Sequence, residues 1–110
     1  PVEAQRRGGG GGERGPGAEV TLPADVRLRI QSFYDERGAT GAQALPPGIR
    51  RNLERGKSLP PGIAKRSPPP ALSASLDLAD GFELVEVGLD VLLVEVATNI
   101  IHDVLENVIR

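Results

Sequence analysis

The fold is decided by the run Gly81-Phe82-Glu83-Leu84-Val85-Glu86-Val87-Gly88-Leu89-Asp90-Val91-Leu92-Leu93-Val94-Glu95-Val96-Ala97-Thr98-Asn99-Ile100-Ile101-His102-Asp103-Val104-Leu105. It is dense in Val, Ile and Leu, free of Pro, and punctuated by two turn signals. Three strands are expected, over 82–87, 91–97 and 100–108, joined at Gly88-Leu89-Asp90 and at Thr98-Asn99. Asn tolerates the left-handed conformation that a tight turn demands. The result is a three-stranded antiparallel meander. A two-residue turn at Thr98-Asn99 sets Glu95 opposite His102 and Val94 opposite Asp103. One face then carries Phe82, Leu84, Leu93, Ile100 and Val104. The other carries Val85, Val87, Leu92, Val94, Val96, Ile101 and Leu105. Both faces are apolar, so both require cover.

Upstream, Leu22, Val26, Ile30 and Phe33 recur at helical spacing, which predicts an amphipathic helix over 23–37. Pro23 suits its first turn, Asp25 favours its positive end, and Gly38 stops it. This helix covers one sheet face. The second cover comes from an internal repeat: Leu45-Pro46-Pro47-Gly48-Ile49 returns as Leu59-Pro60-Pro61-Gly62-Ile63. Each copy reads as a pre-ordered turn, with two φ angles fixed by Pro and a Gly free to take positive φ. Between them, residues 49–55 read as two helical turns ending at Gly56, with Ile49 and Leu53 on one face. These Leu-Pro-Pro-Gly-Ile segments wrap the second face, or else a second subunit lies on it as a homodimer through the sheet. Ser67-Pro68-Pro69-Pro70 is a stiff spacer, and residues 71–80 hold a short helix built on Leu72 and Leu76. The fold class is α+β: one N-terminal helix, short helical turns and a C-terminal β-meander in a domain over 21–110. Residues 1–20, with five consecutive Gly at 8–12, read as a disordered Gly-rich tail.

Composition narrows the chemistry. Of the 110 residues 14 are Gly and 10 are Pro, and there is no Cys, Met or Trp and a single His. Without Cys there is no disulfide framework, thiolate metal site or cysteine nucleophile. Charge is divided: residues 1–70 carry a net +5 and residues 71–110 a net −7. The positive excess is concentrated in residues 38–70, where Arg50, Arg51, Arg55, Lys57, Lys65 and Arg66 face Glu54 alone. The basic repeat segment and the acidic sheet are therefore expected to dock on each other, or on an outside partner. The longest apolar run, Val91-Leu92-Leu93-Val94, is far short of the roughly 20 residues of a membrane-spanning helix. With no Met and a start at Pro1, the chain reads as a processed or excised segment in which no signal peptide is present.

Two motifs are decoys. Gly56-Lys57-Ser58 looks like the end of a phosphate-binding loop, but the first Gly of that pattern falls on Arg51, and Pro60-Pro61 block the required helix. The Arg7-Gly run lacks interleaved aromatics and carries Glu3 and Glu13, so no nucleic-acid partner is expected. No cofactor loop, carboxylate pair or nucleophile with a base is present, and no enzyme is expected. The one metal candidate is His102 with Glu95 across the turn, a weak surface site suited to Ni²⁺ or Co²⁺. Asp103 is expected to point to the opposite face, and Glu106 lies about 13 Å along the strand. The simpler outcome is a cross-strand Glu95–His102 ion pair.

The doubled motif at 45–49 and 59–66, with Arg55-Gly56-Lys57-Ser58-Leu59 between, resembles the CigR-like branch of the RcnB family. So do Gly81-Phe82-Glu83-Leu84-Val85-Glu86-Val87-Gly88-Leu89-Asp90-Val91-Leu92-Leu93-Val94, Ala97-Thr98-Asn99-Ile100-Ile101, Asp103-Val104-Leu105 and the aromatic pair Phe33-Tyr34. The resemblance spans about residues 22–110. It departs at Phe82 and Leu84, where an aromatic pair is usual, and at Thr98-Asn99, where Thr-Gly is usual. The resemblance implies an exported, periplasmic or envelope-associated protein with no catalytic activity. Members are implicated in nickel and cobalt homeostasis or act as anti-virulence regulators. A protein-interaction module is thus expected, its contact residues being the ten of the two repeats: Leu45, Pro46, Pro47, Gly48, Ile49, Leu59, Pro60, Pro61, Gly62 and Ile63.

Overall fold

The computed structural model describes residues 20–110. The tail expected over 1–20 lies outside the described residues, apart from Val20, which packs against the core. Helix α1 spans Ala24–Arg37, α2 Pro47–Arg50 and α3 Pro70–Ser75; the strands are β1 Phe82–Val87, β2 Asp90–Glu95 and β3 Ile101–Leu105. The sheet is antiparallel in the order β1-β2-β3, the expected meander.

The first hairpin is tighter than expected. Val87 pairs with Asp90, so Gly88-Leu89 alone make the loop and Asp90 belongs to β2. Gly88 takes φ +60°, and a Cβ there would meet Leu45 Cγ at 2.8 Å. This position needs Gly both for its backbone and for the strap packed on it.

The second turn corrects the expected register. Glu95 N–H donates to Ile100 O at 3.0 Å and Asn99 N–H to Glu95 O at 2.8 Å, closing a four-residue loop over 96–99. Asn99 sits at φ +62° as its side chain allows. Leu93, not Val94, faces Asp103, and Val94 faces Ile101, so His102 has no partner on β2. It is the extra residue of a β-bulge. A one-residue slip changes which face each later side chain meets. Leu105 accordingly joins the α1 side and Val104 the opposite side, the reverse of the expectation. Val96, expected on a covered face, is 55% exposed in the loop. Ile100 instead forms a bridge with Ser58.

Two apolar clusters flank the sheet. Leu84, Val91, Leu93 and Leu105 pack with Leu22, Ile30, Tyr34 and Leu72 on the helical side. Tyr34, rather than Phe33, is the aromatic that α1 buries fully; Phe33 is half-buried and meets it edge-on at 5.4 Å. Gly38, at φ +79°, ends the helix and donates its N–H to Tyr34 O. On the other side Val85, Val87, Leu92, Val94 and Ile101 pack under Leu53 and Leu59, with Leu45 and Ile63 beside them. The chain therefore supplies both covers itself.

Candidate functional site

The two pentapeptides, identical in sequence, fold differently. In the first, Pro46 caps α2, Pro47 opens it, and Leu45 packs on the sheet. Pro fits a first helical position because the N–H it lacks has no helical partner there. In the second, Ile63 N–H donates to Pro60 O and Gly62 takes φ +79°, as in a type II turn. The expected helix over 49–55 shrinks to Pro47–Arg50, and Ile49 is 40% exposed while Leu53 is buried. Ile49 is thus no clamp on the sheet; Leu53 takes that role.

The strap between the two motifs also closes the sheet edges. Gly56 N–H donates to Ile101 O, Ile101 N–H to Lys57 O and Leu59 N–H to Asn99 O, at 2.7–2.8 Å. After crossing the face, Arg66 exchanges two backbone hydrogen bonds with Glu86 on β1, at 2.9 and 2.7 Å. One segment thus satisfies groups on both edge strands, which would otherwise invite pairing with another chain.

The expected charge docking between basic segment and acidic sheet is present within the chain. Arg50 lies 3.6 Å from the buried Asp90, whose Oδ1 also accepts Asn107 N–H at 2.9 Å. Asp103, also buried, accepts Leu22 N–H at 2.8 Å and Arg27 at 2.9 Å, fixing the start of α1 on β3. Because of the bulge, His102 and Asp103 both reach the α1 side instead of opposite faces. Arg55 Nε donates to His102 O at 2.8 Å.

His102 is buried, only 1% exposed, not at the surface as expected. Its Nε2 is 3.2 Å from Glu95 Oε1, its Nδ1 3.2 Å from Val20 O, and Phe82 meets the ring edge-on at 4.7 Å. Both nitrogens face acceptors, so the imidazolium alone donates to both. Glu106 is 69% exposed, within 4.0 Å of Arg50 and away from this ring. Among the described residues no three His, Asp or Glu side chains converge as metal ligands. His102 and Glu95 bring two donors together, fewer than nickel or cobalt ordinarily takes.

Sequence reasoning missed the most elaborate polar cluster. Glu86, buried on the helical side, accepts the Tyr34 hydroxyl at Oε2 (2.6 Å) and Arg66 Nε at Oε1 (3.1 Å). Arg66 also donates to Gly88 O at 3.3 Å, and Arg37 Nη1 stands 3.8 Å from Glu86 Oε2. Burial first, then the Glu86 carboxylate, pushes the Tyr34 phenol well above its ordinary value, so it stays a donor. The cluster borders a cavity of about 710 Å³ lined by Arg37, Arg66, Glu86 and Pro68-Pro69-Pro70. The available signal was Glu86 itself, a carboxylate placed by strand alternation on the buried face with Leu84, where it must find a donor.

These features define a small α+β module whose sheet is wrapped by its own basic strap and whose buried polar side chains are engaged in holding it together. A solved structure, the C-terminal domain of inner membrane protein CigR from Salmonella enterica, is similar to it: 36% identity, TM-score 0.68, covering 74% of this chain and 84% of that one. No family model matches the chain, and no curated protein does. The chain belongs to the CigR family, as a relative of its C-terminal domain. Among the described residues no helix is long and apolar enough to cross a membrane.

Proposed function

We propose that this chain is a non-enzymatic, CigR-type regulatory module, exposed on the periplasmic side of the envelope, that acts by binding another protein. The observation that carries the reading is the 36% identity over 84% of a domain named for an inner membrane protein. The chemistry of the chain supports it. The only His is buried with both ring nitrogens facing acceptors, and Glu86, Asp90 and Asp103 each lie against Arg. The His and the buried carboxylates are thus occupied in the fold. The wider kinship to the RcnB family rests on the doubled Leu-Pro-Pro-Gly-Ile motif and is part of the same proposal.

The test is cross-linking of the natural full-length protein in intact cells, followed by protease treatment of spheroplasts. A discrete adduct with a second protein, together with digestion of the domain from outside, is the expected result. A domain protected in spheroplasts and cleaved only after lysis would overturn the location. Recovery of the monomer alone would overturn the binding role.

A further inference from the structure

The 710 Å³ cavity beside Glu86 falls in the size range of small-ligand sites. Its ionisable lining is Arg37, Arg66 and Glu86, one positive charge in excess. That excess stands out beside a C-terminal sheet segment of strongly negative charge. Glu86 does not neutralise both guanidiniums by hydrogen bonding. Its oxygens accept from Tyr34 and Arg66, while Arg37, at 3.8 Å, is attracted but too far to bond. Among the described residues the Arg37 side chain makes no hydrogen bond, and it is 43% exposed at the cavity. Arg66 donates through Nε and Nη2, which leaves Nη1. One open guanidinium fork, from Arg37, and one remaining donor nitrogen, Nη1 of Arg66, thus border one opening. The third wall is apolar and rigid, formed by Pro68, Pro69 and Pro70.

We propose that this cavity receives a carboxylate of the partner polypeptide, a C-terminus or an Asp or Glu side chain, held by Arg37 and Arg66 with its neighbouring atoms against the proline wall. The proposal rests on the interaction reading above and names its contact point. A monoanion matches the single excess charge, whereas a phosphate dianion would meet the fixed Glu86 carboxylate with charge to spare. An extended peptide suits an open cleft with one polar and one apolar wall. Glu86 and Tyr34 are positioning residues here, since they hold Arg66 in place from below.

Random peptides with free C-termini, displayed and panned against the full chain, test it. Enriched sequences are expected to share a carboxylate at one position. Arg37→Ala should weaken them about tenfold, the worth of a charged hydrogen bond, while the urea midpoint falls by no more than the loss of a half-exposed ion pair gives. Arg37→Lys should restore part of that loss, because it returns the charge without the fork. Peptides that lack a common carboxylate, or that bind Arg37→Ala equally well, would overturn the cavity assignment while leaving the interaction reading in place. Failure to enrich any peptide would also overturn it, and the cross-linking result then decides the wider reading separately. Displacement of a selected peptide by inorganic phosphate far more strongly than by acetate would reassign the cavity to phosphoryl groups.

Discussion

Tyr34→Phe removes one hydroxyl and leaves the ring that fills the core. The lost bond joins a phenol only 1% exposed to a buried carboxylate, at 2.6 Å. Hydrogen bonds to charged groups contribute about 1.5–3 kcal/mol. Arg66 and Arg37 remain beside Glu86 in the variant, so the carboxylate is not stranded and the loss should be about 2 kcal/mol, in the lower half of that range. For a domain of this size that corresponds to a fall of about 10 °C in Tm. Urea unfolding followed by far-ultraviolet circular dichroism reads the difference at neutral pH. A second arm uses alkaline pH. Because burial and Glu86 raise the phenol above its ordinary value of 10.0, the folded chain keeps a proton that the unfolded chain releases. The stabilisation is complete below about pH 10 and declines as pH rises further, by up to about 1.4 kcal/mol per pH unit. Wild type should show this decline relative to Tyr34→Phe. Tyr34 is the sole Tyr, so the phenolate absorbance reports it without overlap. A variant within about 0.5 kcal/mol of wild type, or a folded phenol titrating at its ordinary value, would refute the reasoning.

Gly88→Ala should destabilise by about 1–3 kcal/mol in urea melts, because its positive φ and the 2.8 Å approach of Leu45 penalise a Cβ twice. Leu59→Ala should cost about 2–4 kcal/mol, and Ile49→Ala under about 0.5 kcal/mol, since Leu59 is 7% and Ile49 40% exposed; equal losses would contradict the strap geometry. About 0.5 M salt should leave hydrogen exchange at Gly56, Leu59 and Arg66 slow, because backbone bonds and apolar burial hold the strap, and charge screening acts chiefly on exposed pairs. Faster exchange at all three would return the docking role to electrostatics. A nickel titration should leave the amide resonances of residues 93–104 in place, and selective shifts at His102 and Glu95 would restore a metal role.

Much of the fold was legible because it rests on local pattern. The strands announce themselves by β-branched runs, Gly38 by its place after Arg37, and the wrapped cover by a repeated Pro-Pro-Gly. The register of the second hairpin was not legible. Asn99 signals positive φ equally well in a two-residue and a four-residue loop, and the choice between them moves Val104 and Leu105 to opposite faces. The two repeats diverge for a non-local reason: Arg66 is drawn out to pair with Glu86, while Arg50 is free to continue a helical turn toward Asp90. The Glu86 cluster was hidden by distance along the chain, since its Tyr34 and Arg66 partners lie 52 and 20 residues away. A charged residue at a buried strand position says that a donor is needed, not which one supplies it.

The most direct test of the interaction module places a photoreactive residue at Ser67, on the cavity rim, and at Leu28, on the 63% exposed outer side of α1, in the full-length protein in living cells. A single adduct with a second protein from position 67, lost on Arg37→Ala and absent from position 28, is the outcome this account predicts. Identical adducts from both positions, or none from position 67, would contradict it.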